Sequence, residues 1–77
     1  MRVFVNATPV EVAVGTDVRG AIRAHDPALE ASAAAGAALV TDARGIDLPL
    51  DAPLTAGAIL RVVVRARRQG FETDADA

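Results

Sequence analysis

Ile59-Leu60-Arg61-Val62-Val63-Val64-Arg65 is the stretch whose reading decides the fold. Leu60, Val62 and Val64 fall on one side and Arg61, Val63 and Arg65 on the other, the period of two that marks a strand. Its density of β-branched side chains suits a central, well-covered position in a sheet. The strand runs directly into a basic strap, Arg65-Ala66-Arg67-Arg68-Gln69-Gly70, and then into the acidic residues 71–77. This division predicts a folded domain over residues 1–65 and a flexible charged tail over 66–77. A domain that ends in a strand and continues as a strap is arranged to hold its C-terminal end out to a partner.

At the other end, Val3 and Val5 alternate with Arg2, Phe4 and Asn6, and Val10, Val12 and Val14 alternate with Glu11 and Ala13. Asn6-Ala7-Thr8-Pro9 supplies turn residues between them, so the two runs read as a β-hairpin with the valines inward and Phe4 outward beside Arg2. Gly15 and Thr16 break the pattern, and Thr16 or Asp17 can cap a helix. Val18, Ala21, Ile22 and His25 then recur at helical spacing, which predicts a main helix over residues 17–25 with one face on the sheet. Pro27 ends that helix and can open a second short segment over residues 28–35. The alanine-rich run 32–38 has little side chain with which to anchor itself and is expected to be weakly packed. Leu39-Val40-Thr41 reads as a short strand. Ile46, Leu48 and Leu50 read as another, at an edge because Pro49 cannot donate to a ladder. Leu54 is the expected plug of the connector 51–57.

The pattern therefore predicts an α+β fold: a mixed four- to five-stranded sheet packed on one main helix, with the first and last strands side by side and parallel. The expected core is Val3, Val5, Val12, Ile22, Leu50, Leu60 and Val62.

Composition bounds the function. The 77 residues make one small domain, and a chain of this size buries only about 60% of its unfolded surface. Cysteine is absent, so neither a disulfide nor a thiolate metal site can staple the fold. The apolar runs fall short of the roughly 20 residues that a membrane helix needs. The formal charge of −2 is spread in both signs, which argues against a dedicated nucleic-acid binder. The N-terminus starts in a strand pattern without a signal peptide, which sets a cytoplasmic expectation. His25 has no second histidine, and Asp42, Asp47 and Asp51 lack the spacing of a calcium loop. Ser32, the only serine, lies in the alanine run, a poor place for a nucleophile that needs fixed geometry. No catalytic residue, bound cofactor or metal is expected.

The chain resembles the ubiquitin-like β-grasp superfamily, and within it the small sulfur carriers related to ThiS and MoaD; the TGS domain has the same look. The resemblance covers roughly residues 1–70. It rests on Met1-Arg2-Val3-Phe4-Val5-Asn6 with its short turn into residues 10–14, and on Val14-Gly15-Thr16-Asp17-Val18 entering the helix. A third stretch completes it, running from Gly45-Ile46-Asp47-Leu48-Pro49-Leu50 through Leu54 and Gly57 to Ile59-Leu60. The resemblance implies a β-grasp fold and a non-enzymatic protein, monomeric when free. Its C-terminal glycine would be adenylated, at the expense of ATP, by an E1-like partner and then carried as a thiocarboxylate or thioester. Carriers of this kind end in Gly-Gly. Here the matching region reads Arg68-Gln69-Gly70 with seven residues beyond it, so the resemblance implies a processing protease that trims residues 71–77.

Gly70 is thus the candidate carrier terminus, against the plainer reading of a flexible tail glycine. Arg65, Arg67 and Arg68 are candidates for docking on an acidic groove, since the arginine fork gives paired, directional hydrogen bonds. Solvated charge beside Glu72, Asp74 and Asp76 is the alternative. Phe4 with Val63, flanked by Arg2, Arg61 and Arg65, is a candidate partner-binding patch of aromatic anchor and arginine rim. A lone exposed aromatic on a small sheet is its plainer reading.

Overall fold

The structure is a computed structural model of the chain, and it describes residues 1–65. The candidates Arg67, Arg68 and Gly70, and the expectation of a flexible tail over 66–77, lie outside the described residues.

Strands β1 (Arg2–Val5) and β2 (Thr8–Glu11) form an antiparallel hairpin in which Val5 faces Thr8. The turn is therefore only Asn6 and Ala7, with φ of 51° and 69°. A two-residue turn left-handed at both positions matches the twist of its flanking strands. Thr8 and Pro9, expected in the turn, belong to β2, and Pro9 is tolerated there because β2 is a sheet edge. The hairpin is also shorter than its valines imply. The Val12 N–H donates to the Met1 carbonyl at 2.9 Å, one residue beyond the end of β2. Val12 is half-buried against the core, whereas Val14, expected inside, is 86% exposed.

Helix α1 (Val18–His25) starts at Asp17, whose carboxylate accepts from the Gly20 N–H at 2.8 Å. Val18, Ala21 and Ile22 are fully buried, and His25 is half-buried in the last turn. Asp26 serves both helices: its N–H closes α1 on the Ile22 carbonyl, and its carboxylate caps α2 (Pro27–Ala34) at the Ala28 N–H. α2 stops at Gly36, φ 77°, with the Gly36 and Ala37 N–H groups returned to the Ala33 and Ser32 carbonyls. The second segment expected over 28–35 is a helix as long as α1, so two equal helices rather than one main helix lie on the sheet. The alanine run is not loose either: Ala33 and Ala38 are in the core. Glu30 clamps α2 to α1, accepting from Arg19 Nε at 2.6 Å and lying 3.6 Å from Arg23 Nε.

β3 (Ala38–Asp42) and β4 (Ile59–Val64) complete a four-stranded mixed sheet in the order β2-β1-β4-β3. β1 and β4 are parallel neighbours at its centre, and the outer pairs are antiparallel. The fold is α+β. Val3, Val5, Leu60 and Val62 share one sheet face and pack with Val18 and Ile22 in a single core. Leu50 and Leu54 are half-buried against it.

A fifth strand over residues 46–50 is not formed. The segment touches β3 through one bridge, Thr41 to Asp47, with the Asp42 N–H on the Ile46 carbonyl and the Leu48 N–H on the Val40 carbonyl. After Pro49 the chain diverts, because the Leu50 and Ala52 carbonyls accept from the Arg19 and Val18 N–H groups that open α1. Those helix-end donors have no intrahelical partner, so the connector is held by them rather than by the ladder. Ile46, expected inward, is 53% exposed.

Val64, which shares a strand face with Leu60 and Val62, is 54% exposed. β1 stops at Val5, so β4 beyond Val62 has only β3 beside it, and the residue paired with Val64 is Ala38. Asn6 closes the gap where β1 ends. Its Oδ1 accepts from the Val62 N–H at 2.9 Å and its Nδ2 donates to the Val62 carbonyl at 3.1 Å. A side-chain amide thereby stands in for the next peptide of β1.

Candidate functional site

Both helices lie on the Val3–Leu60 side of the sheet, which leaves the opposite face uncovered among the described residues. Strand alternation and the observed register place Arg2, Phe4, Leu39, Ile59, Arg61 and Val63 on that outer face. Arg65 follows the same alternation. Its N–H donates to the Ala37 carbonyl at 2.8 Å, so the ladder holds β4 to the last described residue.

The outer face has two apolar centres. Phe4 sits beside Ile59 across the parallel pair, and Val63 sits beside Leu39 across the antiparallel pair. Ile59 and Val63 are four residues apart, about 13 Å along a strand, with Arg61 and its neighbour Thr41 between them. The single Phe4–Val63 patch expected from the sequence is thus split. Phe4 itself is half-buried, and Ile59 and Val63 carry more of the exposed apolar surface.

An open depression of about 640 Å³ lies at the Phe4 end, lined by Phe4, Asn6, Ala7, Ala43, Ile59 and Arg61. Two turns build its rim. Asn6 and Ala7 are held by the Val62 hydrogen bonds, and Ala43 is held by the turn after β3. There Asp42 Oδ1 accepts from the Arg44 and Ile46 N–H groups at 2.8 and 3.1 Å, and Oδ2 pairs with Arg44. The Ile46 N–H is the main influence that keeps the Asp42 carboxyl below its ordinary pKa, with Arg44 adding to it.

Charge on this face is cationic. Arg2 pairs with Glu11 at 3.0 Å, an exposed contact of the kind that contributes at most about 1 kcal/mol. Arg61 and Arg65 have no ion-pair partner among the described residues. The face can therefore receive an apolar group flanked by carboxylates.

Sequence reasoning placed Arg61, Val63 and Arg65 here but missed Ile59, although the same period of two, counted back from Val63, includes it. Leu39, Ala43, Asn6 and Ala7 carry no such signal, because pairing register and turn geometry bring them to the face. No group of three or more metal-ligating side chains occurs among the described residues, and none of the helices formed by them is long and apolar enough to cross a membrane. No family model matches the chain, and the comparisons with curated proteins and with solved structures return no match either.

Proposed function

We propose that the chain is a non-catalytic, cytoplasmic β-grasp protein of the ubiquitin-like or sulfur-carrier type, which docks on an E1-like enzyme and gives it a C-terminal glycine. The observation that carries this reading is the sheet: hairpin first, α1 next, and the terminal strand β4 parallel to β1 at the centre. A terminal strand anchored through Arg65 delivers whatever follows it from a fixed point beside the outer face. In this reading a protease removes residues 71–77. The Gly70 carboxylate then attacks the α-phosphorus of ATP in the partner's site, pyrophosphate leaves, and a sulfur nucleophile displaces AMP. Phe4, Arg61, Val63 and Arg65 serve recognition, as do Arg67 and Arg68, and the protein supplies no catalytic group.

Intact-mass measurement of the protein from its own host tests this. A species ending at Gly70, as a free acid, thiocarboxylate or conjugate, is the expected result. Finding only chains that still carry residues 71–77 refutes carrier chemistry.

A second reading is favoured by the exposed Ile59, Val63 and Leu39: a binding module that uses the same face without covalent chemistry. It predicts that Ile59→Asp or Phe4→Asp abolishes partner capture while loss of residues 66–77 leaves capture intact. The carrier reading predicts that both changes abolish transfer.

A further inference from the structure

We infer that this chain gives an acyl group away but does not receive one, so that no copy becomes attached to another copy. The eight cationic side chains of the 77 residues are all arginine, and neither lysine nor cysteine occurs. A guanidinium stays protonated and has no lone pair to offer an acyl carbon. Serine and threonine hydroxyls are weak nucleophiles until a base activates them. The remaining amine of these residues is the Met1 amino group, and the fold ties it down.

Met1 and Val12 form the rung that closes the hairpin beyond the Arg2–Glu11 pair. The Met1 amino group donates to the Val12 carbonyl, and the Val12 N–H donates to the Met1 carbonyl at 2.9 Å. The Glu11 carboxylate lies 4.0 Å from the same nitrogen, and the Met1 side chain, 7% exposed, packs on the core. Acylation needs the nitrogen to lose a proton and turn a lone pair toward the incoming carbonyl carbon. Here the rung must open first. Holding the nitrogen in a hydrogen bond of this charged kind lowers its free fraction by roughly ten-fold or more.

The consequence for transfer rests on the carrier reading. When an amine of another protein attacks the activated Gly70 carbonyl carbon, a C–N bond forms. The bond to AMP or to a thiol sulfur breaks, and the amine gives up a proton. A second copy of this chain presents no such amine, so each acceptor nitrogen takes one copy and chains of copies do not grow.

The acceptor chemistry is tested separately, without ATP or partner. The folded 77-residue chain is treated with excess acetyl N-hydroxysuccinimide ester, then with hydroxylamine to remove acetyl esters, and its intact mass is followed with time. The same reaction is run on the chain unfolded in urea. Expected is at most one stable acetyl group per chain, on Met1, added roughly ten-fold or more slowly to the folded chain than to the unfolded one. Arg61→Lys, at an exposed position, should take up a second group promptly. Equal rates at Met1 in the two states overturn the inference, as does more than one stable acetyl group on the unaltered chain. So does a peptide from host conjugates in which Gly70 is joined to Met1, a result that leaves the carrier reading standing. Finding no species that ends at Gly70 defeats the carrier reading instead, and the acetylation rates stand unaffected.

Discussion

Asn6 bonds both polar groups of the Val62 peptide across a sequence separation of 56 residues, and its removal tests the junction of the two chain ends. Asn6→Gly keeps the positive φ that the turn needs; relief of the Cβ there and the entropy glycine adds to the unfolded chain oppose each other, which leaves the loss of two hydrogen bonds as the main effect. Each contributes about 1 kcal/mol net, and water can re-satisfy part of this half-exposed pair, giving an expected loss of about 1–2 kcal/mol. Asn6→Ala loses the same two bonds and keeps a Cβ at positive φ without the local polar contacts that let asparagine tolerate it, so it should cost more than the glycine variant. For a domain of this size 1 kcal/mol is roughly 4–8 °C in Tm, so the glycine variant should melt about 5–15 °C lower. Asn6→Asp keeps the acceptor for the Val62 N–H but turns a carboxylate toward the Val62 carbonyl. Repulsion from the Val62 carbonyl oxygen raises the new carboxyl's pKa in the folded state, so the variant's deficit should be largest at neutral pH. It should shrink as pH falls through that raised pKa toward the free aspartate value of about 3.9, as the protonated acid regains a donor. Urea denaturation with an unchanged m-value, and hydrogen exchange at the Val62 amide, measure both effects. If Asn6→Gly changes stability by less than about 0.5 kcal/mol with the Val62 amide still protected, the side chain does not act as the substitute peptide.

Three further expectations follow from the same structure. Ala7→Gly removes a Cβ from φ 69°, and after the entropy that glycine adds to the unfolded chain it should stabilise by up to about 1 kcal/mol in thermal or urea melts. Gly20→Ala should fail to give the usual helical gain of about 1 kcal/mol, because the new Cβ would lie 2.7 Å from Thr16 Cγ2, which is held in place by the Thr16 hydroxyl on the Ala13 carbonyl. In a Thr16→Ser background, which keeps the hydroxyl and deletes Cγ2, the gain should return, and a double-mutant cycle measures it. The Asp42 carboxyl lies below its ordinary value of 3.8, so its contribution is present above that value and is lost as pH falls toward its folded pKa. Carboxyl NMR titration should find its midpoint below 3.8, and Asp42→Asn should flatten this part of the acid limb; a midpoint at or above that value refutes the Ile46 hydrogen bond as its cause.

Much of the architecture was legible because it is written in local periods. The alternation of Val3 and Val5, the helical spacing of Val18, Ala21 and Ile22, and the alternation of Leu60 and Val62 each name a buried face without reference to anything distant. Pro27 and Asp26 likewise mark a helix boundary by their own chemistry. That local alternation puts Phe4 on the outer side of β1 and Arg61, Val63 and Arg65 on the outer side of β4, without saying that Phe4 and Val63 stand apart.

What the tertiary structure alone decided is where each local pattern stops and what stands beside it. Val14 continues an inward alternation and is nevertheless exposed, because β2 ends at Glu11 and the chain turns at Val14 and Gly15 toward α1. Ile46, Leu48 and Leu50 alternate like a strand, but the donors at the start of α1 compete for the connector and leave a single bridge. Val64 belongs to a buried face by period and to an exposed ribbon by position, since its burial depends on a neighbouring strand that ends at Val5. Side-chain alternation is a property of one backbone and can be read from one segment. Register, pairing partners and coverage depend on hydrogen bonds between segments tens of residues apart, and only the folded chain sets them.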